Sequence, residues 1–210
     1  MNATLNMDYQ ERLVIAAHNE VGEEIALENE TGGRERTTTV LQMPPDTALP
    51  PVNLPGGEEL FILEGDLSDD QGSYGAGTYL KTPAGQTPRR HTKSGCRLFV
   101  KRNHLAPEDL AVVRIDTGRA EWFQGFGMLH VLPLHEYEGR SSALVYWPPG
   151  ATFQPHKHWG GEEIFVIDGT FQDEHGDYPR GTWLRSPHLS THNPFSREGC
   201  LILVKVGHLA

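Results

Sequence analysis

The chain has 210 residues, 37% hydrophobic and 22% charged, which is a globular composition sufficient for one large domain or two smaller ones. Its formal net charge of -10 argues against direct binding to nucleic acid, and no apolar run reaches the roughly 18 residues that a membrane helix needs. The polar start shows no signal peptide and the two cysteines fit a reducing compartment, so we expect a cytoplasmic protein without membrane contact.

The predicted elements of the first half are short strands separated by Gly and Pro. In chain order they are 37–43 (TTTVLQM), 58–69 (EELFILEGDLSD), 77–83 (GTYLKTP) and 96–101 (CRLFVK). Branched and aromatic residues dominate them, as is typical of strands, and no helical period extends over eleven or more residues. The sequence therefore predicts an all-β fold.

The second half repeats the first at an offset of 104 residues. Its predicted strands are 142–147 (SALVYW), 162–176 (EEIFVIDGTFQDEHG), 181–187 (GTWLRSP) and 200–205 (CLILVK). Residues 44–106 align with 148–210 without a gap, and 24 of these 63 positions are identical. Two copies are too few for a solenoid, so we interpret the chain as a duplicated domain with its boundary near 105–110. The predicted domains are 1–106 and 107–210.

The strand at 162–168 is apolar on both faces. Ile164 and Val166 share a face with Glu162, whereas Phe165 and Ile167 lie on the other. An antiparallel strand usually presents one polar face to water. Either a loop covers the second face, or another barrel does so, within the chain or in a homodimer.

A cluster of metal-ligand residues lies just before this strand. His156 and His158 are two residues apart, and Glu162 follows four residues later, so a tight turn at 160–161 would bring all three together. Neutral imidazole and carboxylate are ligands for zinc, iron, manganese and nickel. A fourth ligand would come from His192, His188 or His175.

These residues fit two known motifs. The run Gly150-x5-His156-x-His158-x3-Glu162-x6-Gly169 has every spacing of the first motif of the cupin superfamily. The second motif is represented by Pro179, Gly181, His192 and Asn193, with a longer gap before the histidine than is most common. Residues 150–205 closely resemble the ChrR-like cupins, which include the C-terminal domain of ChrR anti-sigma factors, and about 40–106 do so more loosely.

The resemblance implies two tandem cupin barrels of the jelly-roll type, also called double-stranded β-helices. It implies His156, His158, Glu162 and His192 as ligands of a divalent metal. We expect His175 to be a solvated loop residue, and His188 to lie on the surface or, alternatively, at the mouth of the pocket. We expect Glu163, which has the opposite parity to Glu162, to pair with a neighbouring basic residue or to orient a ligand.

The first half has lost most of these ligands. Val52, Leu54, Glu58 and Pro88 occupy the positions of the four predicted ligands, so the N-terminal domain is a degenerate, metal-free cupin and we expect one metal per chain. If Glu58 is buried, it needs a hydrogen-bonding partner. Cys96 and Cys200 lie at equivalent positions of the two repeats, and we expect both to be buried and unlinked.

Three functions remain open at the level of sequence, one of which is a metal-stabilised binding module without catalysis. The ChrR resemblance favours a regulatory protein that senses a small ligand or stress, with zinc as the favoured metal. The alternative is a metal-dependent dioxygenase acting on a small diketone or hydroxylated aromatic ketone, with iron, manganese or nickel. Trp147, Phe153 and Trp183 are candidates for a pocket that stacks on a small organic ligand. Sigma-factor binding is doubtful, because a cupin repeat replaces the N-terminal helical domain of the anti-sigma factors.

Overall fold

The computed structural model describes residues 13–16, 24–30, 36–49 and 51–209, and the regular elements in these ranges are all strands. No helix that could cross a membrane occurs in the described part of the chain. The first ten strands are β1 (Leu13–Ala16), β2 (Glu24–Glu30), β3 (Arg36–Met43), β4 (Thr47–Ala48), β5 (Glu58–Asp69), β6 (Gly72–Gly75), β7 (Thr78–Thr82), β8 (His91–Thr92), β9 (Cys96–Arg102) and β10 (Val113–Asp116). The strands that follow are β11 (Phe123–Gln124), β12 (His130–Tyr137), β13 (Arg140–Trp147), β14 (Ala151–Thr152), β15 (His156–Lys157), β16 (Glu162–Asp173), β17 (Gly176–Pro179), β18 (Thr182–Ser186), β19 (Thr191–His192), β20 (Phe195–Ser196) and β21 (Cys200–Val206).

One sheet has the strand order β10-β7-β5-β9-β3-β2, and all of its pairs are antiparallel. Its 12-residue strand β5 pairs with β7 through residues 58–61 and with β6 through residues 66–69. A β-bulge between Ile62 and Glu64 separates these two segments. Because a bulge bends its strand, β5 can leave one layer and continue in the next, which curls the sheet around its core.

The second sheet repeats this arrangement in the order β1-β18-β16-β21-β13-β12-β11. Strand β16 corresponds to β5, with a bulge between Val166 and Asp168. Glu58 faces Thr82 across the ladder, and Glu162 faces Ser186 at the equivalent place. The duplication seen in the sequence therefore extends to the hydrogen-bond register, which confirms the expected all-β fold.

Each sheet encloses its own apolar core. The first core is made by Met43, Leu60, Ile62, Leu67, Leu80, Cys96, Leu98 and Val100. The second is made by Leu129, Trp147, Ala151, Ile164, Val166, Phe171, Tyr178, Leu184, Cys200 and Ile202. The opposite face of β16 is also covered, since Phe165 is only 2% exposed. Both faces of this strand are therefore buried, as the sequence predicts.

The compact units of the fold exchange their leading strands. Strand β1 precedes the first repeat along the chain, but it pairs with β18 and belongs to the second unit. Strand β10 precedes the second repeat, but it pairs with β7 and belongs to the first unit, which extends to Ala120. The domains 1–106 and 107–210 follow the sequence repeat and stay a prediction. No local pattern in either strand indicates this exchange.

Candidate metal centre

Two short strands and a glycine turn assemble the predicted ligands. Strands β15 and β19 pair so that His156 lies opposite His192. Gly160 and Gly161 adopt left-handed φ angles of 75° and 74°, and a Cβ atom on Gly160 would lie 2.6 Å from the Cα atom of Gly207. Because only glycine tolerates both demands, these residues allow the chain to reverse sharply and begin β16 with Glu162.

The side chains of His156, His158, Glu162 and His192 converge, with one potential ligand atom from each lying within 4.8 Å of the others. His158 Nε2 lies 3.2 Å from His156 Nε2 and 3.3 Å from Glu162 Oε1. His192 Nε2 lies 3.6 Å from the same carboxylate oxygen. His158 and His192 are each about 4% exposed, whereas His156 is partly accessible.

The outward-facing ring nitrogen of each histidine has its own polar contact. His156 Nδ1 lies 3.1 Å from the carbonyl oxygen of Gln154, and His158 Nδ1 lies 2.9 Å from Ser190 Oγ. His192 Nδ1 lies 3.3 Å from Oδ2 of the buried Asp173. Contacts of this kind fix the ring orientation and the tautomer, so the Nε2 lone pairs are directed toward the centre of the cluster.

Partial burial favours the neutral form of His156, the most accessible member of the cluster. Desolvation is the largest effect on His156 and lowers its pKa, and the nearby His192 lowers it further. The contact with the Gln154 carbonyl acts in the opposite direction. A neutral imidazole is the form that binds metal, so this environment prepares His156 for that role.

The cluster fits a divalent transition metal on two grounds. Metal–ligand bonds of about 2.1 Å place neighbouring ligand atoms about 3.0–3.4 Å apart, close to the separations of 3.2, 3.3 and 3.6 Å seen here. His192 Nε2 is buried and makes no hydrogen bond to any described residue. Such an orphaned nitrogen is costly unless it binds something, and a cation beside Glu162 would satisfy it.

An apolar cavity of about 200 Å³ adjoins the cluster. His156, Glu162 and His192 form its polar end. The remaining lining residues are apolar: Phe126, Leu129, Val131, Val145, Trp147, Phe153, Ile164, Phe171, Pro194, Ile202, Val204 and Val206. Two of the three predicted pocket aromatics, Trp147 and Phe153, lie in this lining. Trp183 does not, because it has the opposite strand parity to the core residue Leu184.

The neighbouring polar residues have local roles. Glu163 Oε1 lies 3.1 Å from Nε2 of the buried His208, which is the kind of basic partner expected from the sequence. His188 is exposed and accepts a hydrogen bond from the backbone N–H of Gly160 at 2.8 Å. His175 is exposed on the turn after β16. Neither of these two histidines belongs to the cluster.

Asp173 and Ser190 contact histidines of the cluster, and the sequence analysis did not identify either residue. Asp173 also accepts hydrogen bonds from the backbone N–H of His175 and from the Tyr178 hydroxyl, as expected of a turn residue. Its counterpart Asp69 makes the same kinds of bond in the first unit. Asp173 lies near His192 only because β16 and β19 come together in the fold, so no local sequence pattern identifies it.

In the first unit, positively charged side chains take the place of the histidine cluster. Glu58, the counterpart of Glu162, is 2% exposed and forms ion pairs with Arg90 Nη1 and, at 2.9 Å, with Arg102 Nε. Arg90 also donates a hydrogen bond to Thr82 Oγ1 at 3.2 Å. Leu54, at the position of His158, is 1% exposed. The buried carboxylate thus has the partner that the sequence analysis required, and it is guanidinium.

Curled all-β units with a His/Glu cluster of this kind define the class of the protein, a double-barrel cupin with a candidate metal site. More specifically, the model of the ChrR cupin-like domain family matches residues 15–106 and 110–210, and the chain belongs to that family. No curated protein matches the sequence.

Solved structures with a similar fold share little sequence with this chain. A candidate dioxygenase from Nostoc punctiforme has 14% identity and a TM-score of 0.74, covering 94% of this chain and 82% of its own. A glyoxylate-induced protein, so named provisionally, from Pseudomonas aeruginosa has 13% identity and a TM-score of 0.73, covering 98% and 92%. Oxalate decarboxylase from Bacillus subtilis has 13% identity and a TM-score of 0.63, covering 92% and 76%. At these identities, the likeness establishes the cupin fold alone.

Proposed function

We propose that the protein binds one divalent transition metal per chain through His156, His158, Glu162 and His192, and uses it to bind a small organic ligand as a regulatory sensor. The observation that carries this proposal is that the cluster forms the polar end of an apolar cavity. A purely structural metal site is usually closed on all sides by protein. Here an organic molecule could occupy the cavity and reach the ligand cluster.

The chain's own residues would divide the work of binding. The three imidazoles and the Glu162 carboxylate would hold the metal, while Asp173 and Ser190 would keep two of the rings oriented. When bound, the metal would supply Lewis acidity to an oxygen donor of the ligand. Trp147 and Phe153 would pack against its apolar part and exclude water. Zinc is the favoured metal for this regulatory role.

A metal-dependent dioxygenase is the second candidate. The same cavity supports it, because an enzyme that activates oxygen needs space beside its metal for an organic substrate. A similarly folded protein from Nostoc punctiforme is named as a candidate dioxygenase, although at 14% identity the likeness establishes only a shared fold. Substrates would be small diketones or hydroxylated aromatic ketones, and the metal would be iron, manganese or nickel.

The proposal also includes a cytoplasmic location and no direct binding to nucleic acid. The free, buried cysteines are compatible with a reducing cytoplasm, and the acidic charge disfavours nucleic acid. A homodimer stays an alternative.

Elemental analysis of protein purified without a chelator or a histidine tag tests the proposal. We expect one equivalent of metal per chain, lost in His158→Ala and retained in His188→Ala, which changes an exposed histidine outside the cluster. Zinc that persists when iron is supplied, with no oxygen consumption, supports the sensor. Iron together with oxygen uptake in the presence of a diketone supports the dioxygenase. Two equivalents, or full metal content in His158→Ala, would contradict the assignment of the site.

A further inference from the structure

The mouth of the cavity is formed by the loop of residues 125–129, which joins β11 to β12. Two side chains of this loop line the cavity, and they differ in exposure. Leu129 is 4% exposed and belongs to the core, whereas Phe126 is 55% exposed. A side chain that both lines a cavity and contacts solvent lies at its entrance.

Hydrogen bonds hold this loop in a defined conformation. The backbone N–H of Gly125 donates to the Leu129 carbonyl at 2.8 Å. The Gln124 side chain donates to the carbonyl of Gly127 at 2.7 Å and to that of Leu129 at 3.1 Å. Gly127 has a φ of 61°, and a Cβ atom on Gly125 would lie 2.9 Å from Val131 Cγ2. The loop therefore fixes the position from which Phe126 extends.

A continuous row of rings leads from the entrance to the ligand cluster. The Phe126 and Phe153 rings make an edge contact, with centroids 5.1 Å apart and an interplanar angle of 69°. The Phe153 ring in turn lies 4.9 Å from the ring of His156, at 78°. Phe126 thus limits how far a molecule anchored at His156 can extend toward solvent.

We propose that Phe126 determines ligand specificity by restricting the site to short, ring-sized apolar molecules with a single metal-binding end group; this inference rests on the function proposed above. Beyond the His/Glu cluster, the cavity side chains are apolar, so a charged or sugar-like tail would lose its hydration without gaining a partner. An apolar cavity of about 150 Å³ accommodates benzene. A cavity of about 200 Å³ therefore has room for one ring, and Phe126 at its entrance would obstruct a second ring joined to the first.

Binding of two fluorinated probes tests the role of Phe126. Fluorobenzene and 4-fluorobiphenyl would be titrated into the full-length protein, as purified and again after chelation, with ¹⁹F NMR line broadening as the readout. We expect the wild type to bind fluorobenzene and to exclude 4-fluorobiphenyl. Phe126→Ala should bind 4-fluorobiphenyl at least tenfold more tightly than the wild type does, and Phe126→Leu should be intermediate. Phe123→Ala is the matched control, because Phe123 is 52% exposed but does not line the cavity.

Equal affinity of the wild type for both probes, or the same probe ratio in all four proteins, would overturn the role of Phe126. Because the chelated protein takes part in the comparison, this result is independent of metal stoichiometry. Failure of the proposed metal site would instead appear as an absence of bound metal, with the selectivity between probes retained.

Discussion

At the scale of single residues, Asp173 shows how a turn residue can acquire a second role. In both units an aspartate ends the long central strand and accepts hydrogen bonds from the following turn and from a tyrosine hydroxyl. Only Asp173 also contacts a histidine of the cluster, His192. In the first unit the second oxygen of Asp69 instead lies 3.5 Å from Arg114.

Asp173→Asn should weaken metal affinity by about 10–100-fold, because an amide nitrogen facing His192 Nδ1 cannot accept its proton. The remaining Asn oxygen can still accept the turn hydrogen bonds, so the fold should be retained. Metal affinity would be measured by competition with a chromophoric chelator. The matched control is Asp69→Asn, which makes the same change where no ligand histidine exists. Equal losses of affinity in both variants would contradict a positioning role for Asp173.

The two cysteines should be unreactive in the folded protein. Burial is the largest effect on both thiols and raises the pKa of Cys96 and of Cys200 to about 11. At pH 8 they are therefore protonated as well as shielded. We expect no reaction with a disulfide reagent such as DTNB under native conditions, and two reactive thiols per chain in denaturant. Rapid labelling of the native protein would contradict the burial of these side chains.

At the scale of elements, the equivalent strands β5 and β16 begin with a buried carboxylate that is neutralised in different ways. Glu58 pairs with Arg90 and Arg102, whereas Glu162 lies among three histidines. A buried carboxylate requires a compensating partner, and the two halves meet this requirement with guanidinium and with an imidazole cluster suited to metal.

Glu58→Gln and Glu162→Gln should therefore affect different properties, the first mainly stability and the second mainly metal content. The first should lower the free energy of unfolding by about 3 kcal/mol, since it leaves the buried Arg90 without its counter-charge, and should leave the metal content unchanged. The second should reduce the metal content with a smaller effect on the metal-free protein. Denaturant unfolding and elemental analysis measure the two effects. Loss of metal in Glu58→Gln would show that the first unit also binds it.

The sequence was a good guide to the strands and to the clustering of the four predicted ligand residues, and a poorer one to packing direction and pairing partners. Runs of branched and aromatic residues were sufficient to predict β5 and β16, and residue spacing was sufficient to group His156 with His158 and Glu162. The placement of Trp183 in the pocket depended on its aromatic character, whereas the parity of its strand puts it on the face opposite Leu184. Asp173 could not be found because its contact with His192 depends on the tertiary fold.

At the scale of the whole molecule, each unit is completed by a strand from outside its own repeat. Strand β1 covers the edge of β18, and β10 covers the edge of β7. Strands β1 and β10 are terminal in these strand orders and are four residues each, and very short edge strands are one way in which sheets limit association with other chains. Such pairings are non-local, which is why the sequence repeat alone gave no indication of them.

A fragment of residues 107–210 should fold less stably than the same unit in the whole chain, because it lacks β1. We expect a lower melting temperature and association at the open edge of β18. The matched control is the same fragment preceded by residues 8–17 on a flexible Gly/Ser linker, which should restore the melting temperature and the monomeric state. Calorimetry and light scattering would measure both. Identical behaviour of the two fragments would show that β1 contributes nothing to the second unit.

The exchange of β1 and β10 also bears on how this architecture can change over evolutionary time. A tandem duplication is at first reversible, since deletion of one copy restores the ancestral single domain. Once each copy relies on a strand encoded beside the other, a deletion at the repeat boundary leaves an incomplete barrel. The first half can then lose its metal ligands, as Val52, Leu54 and Pro88 indicate. Selection would still retain this part of the chain, because the second unit depends on β1, which is encoded at its start.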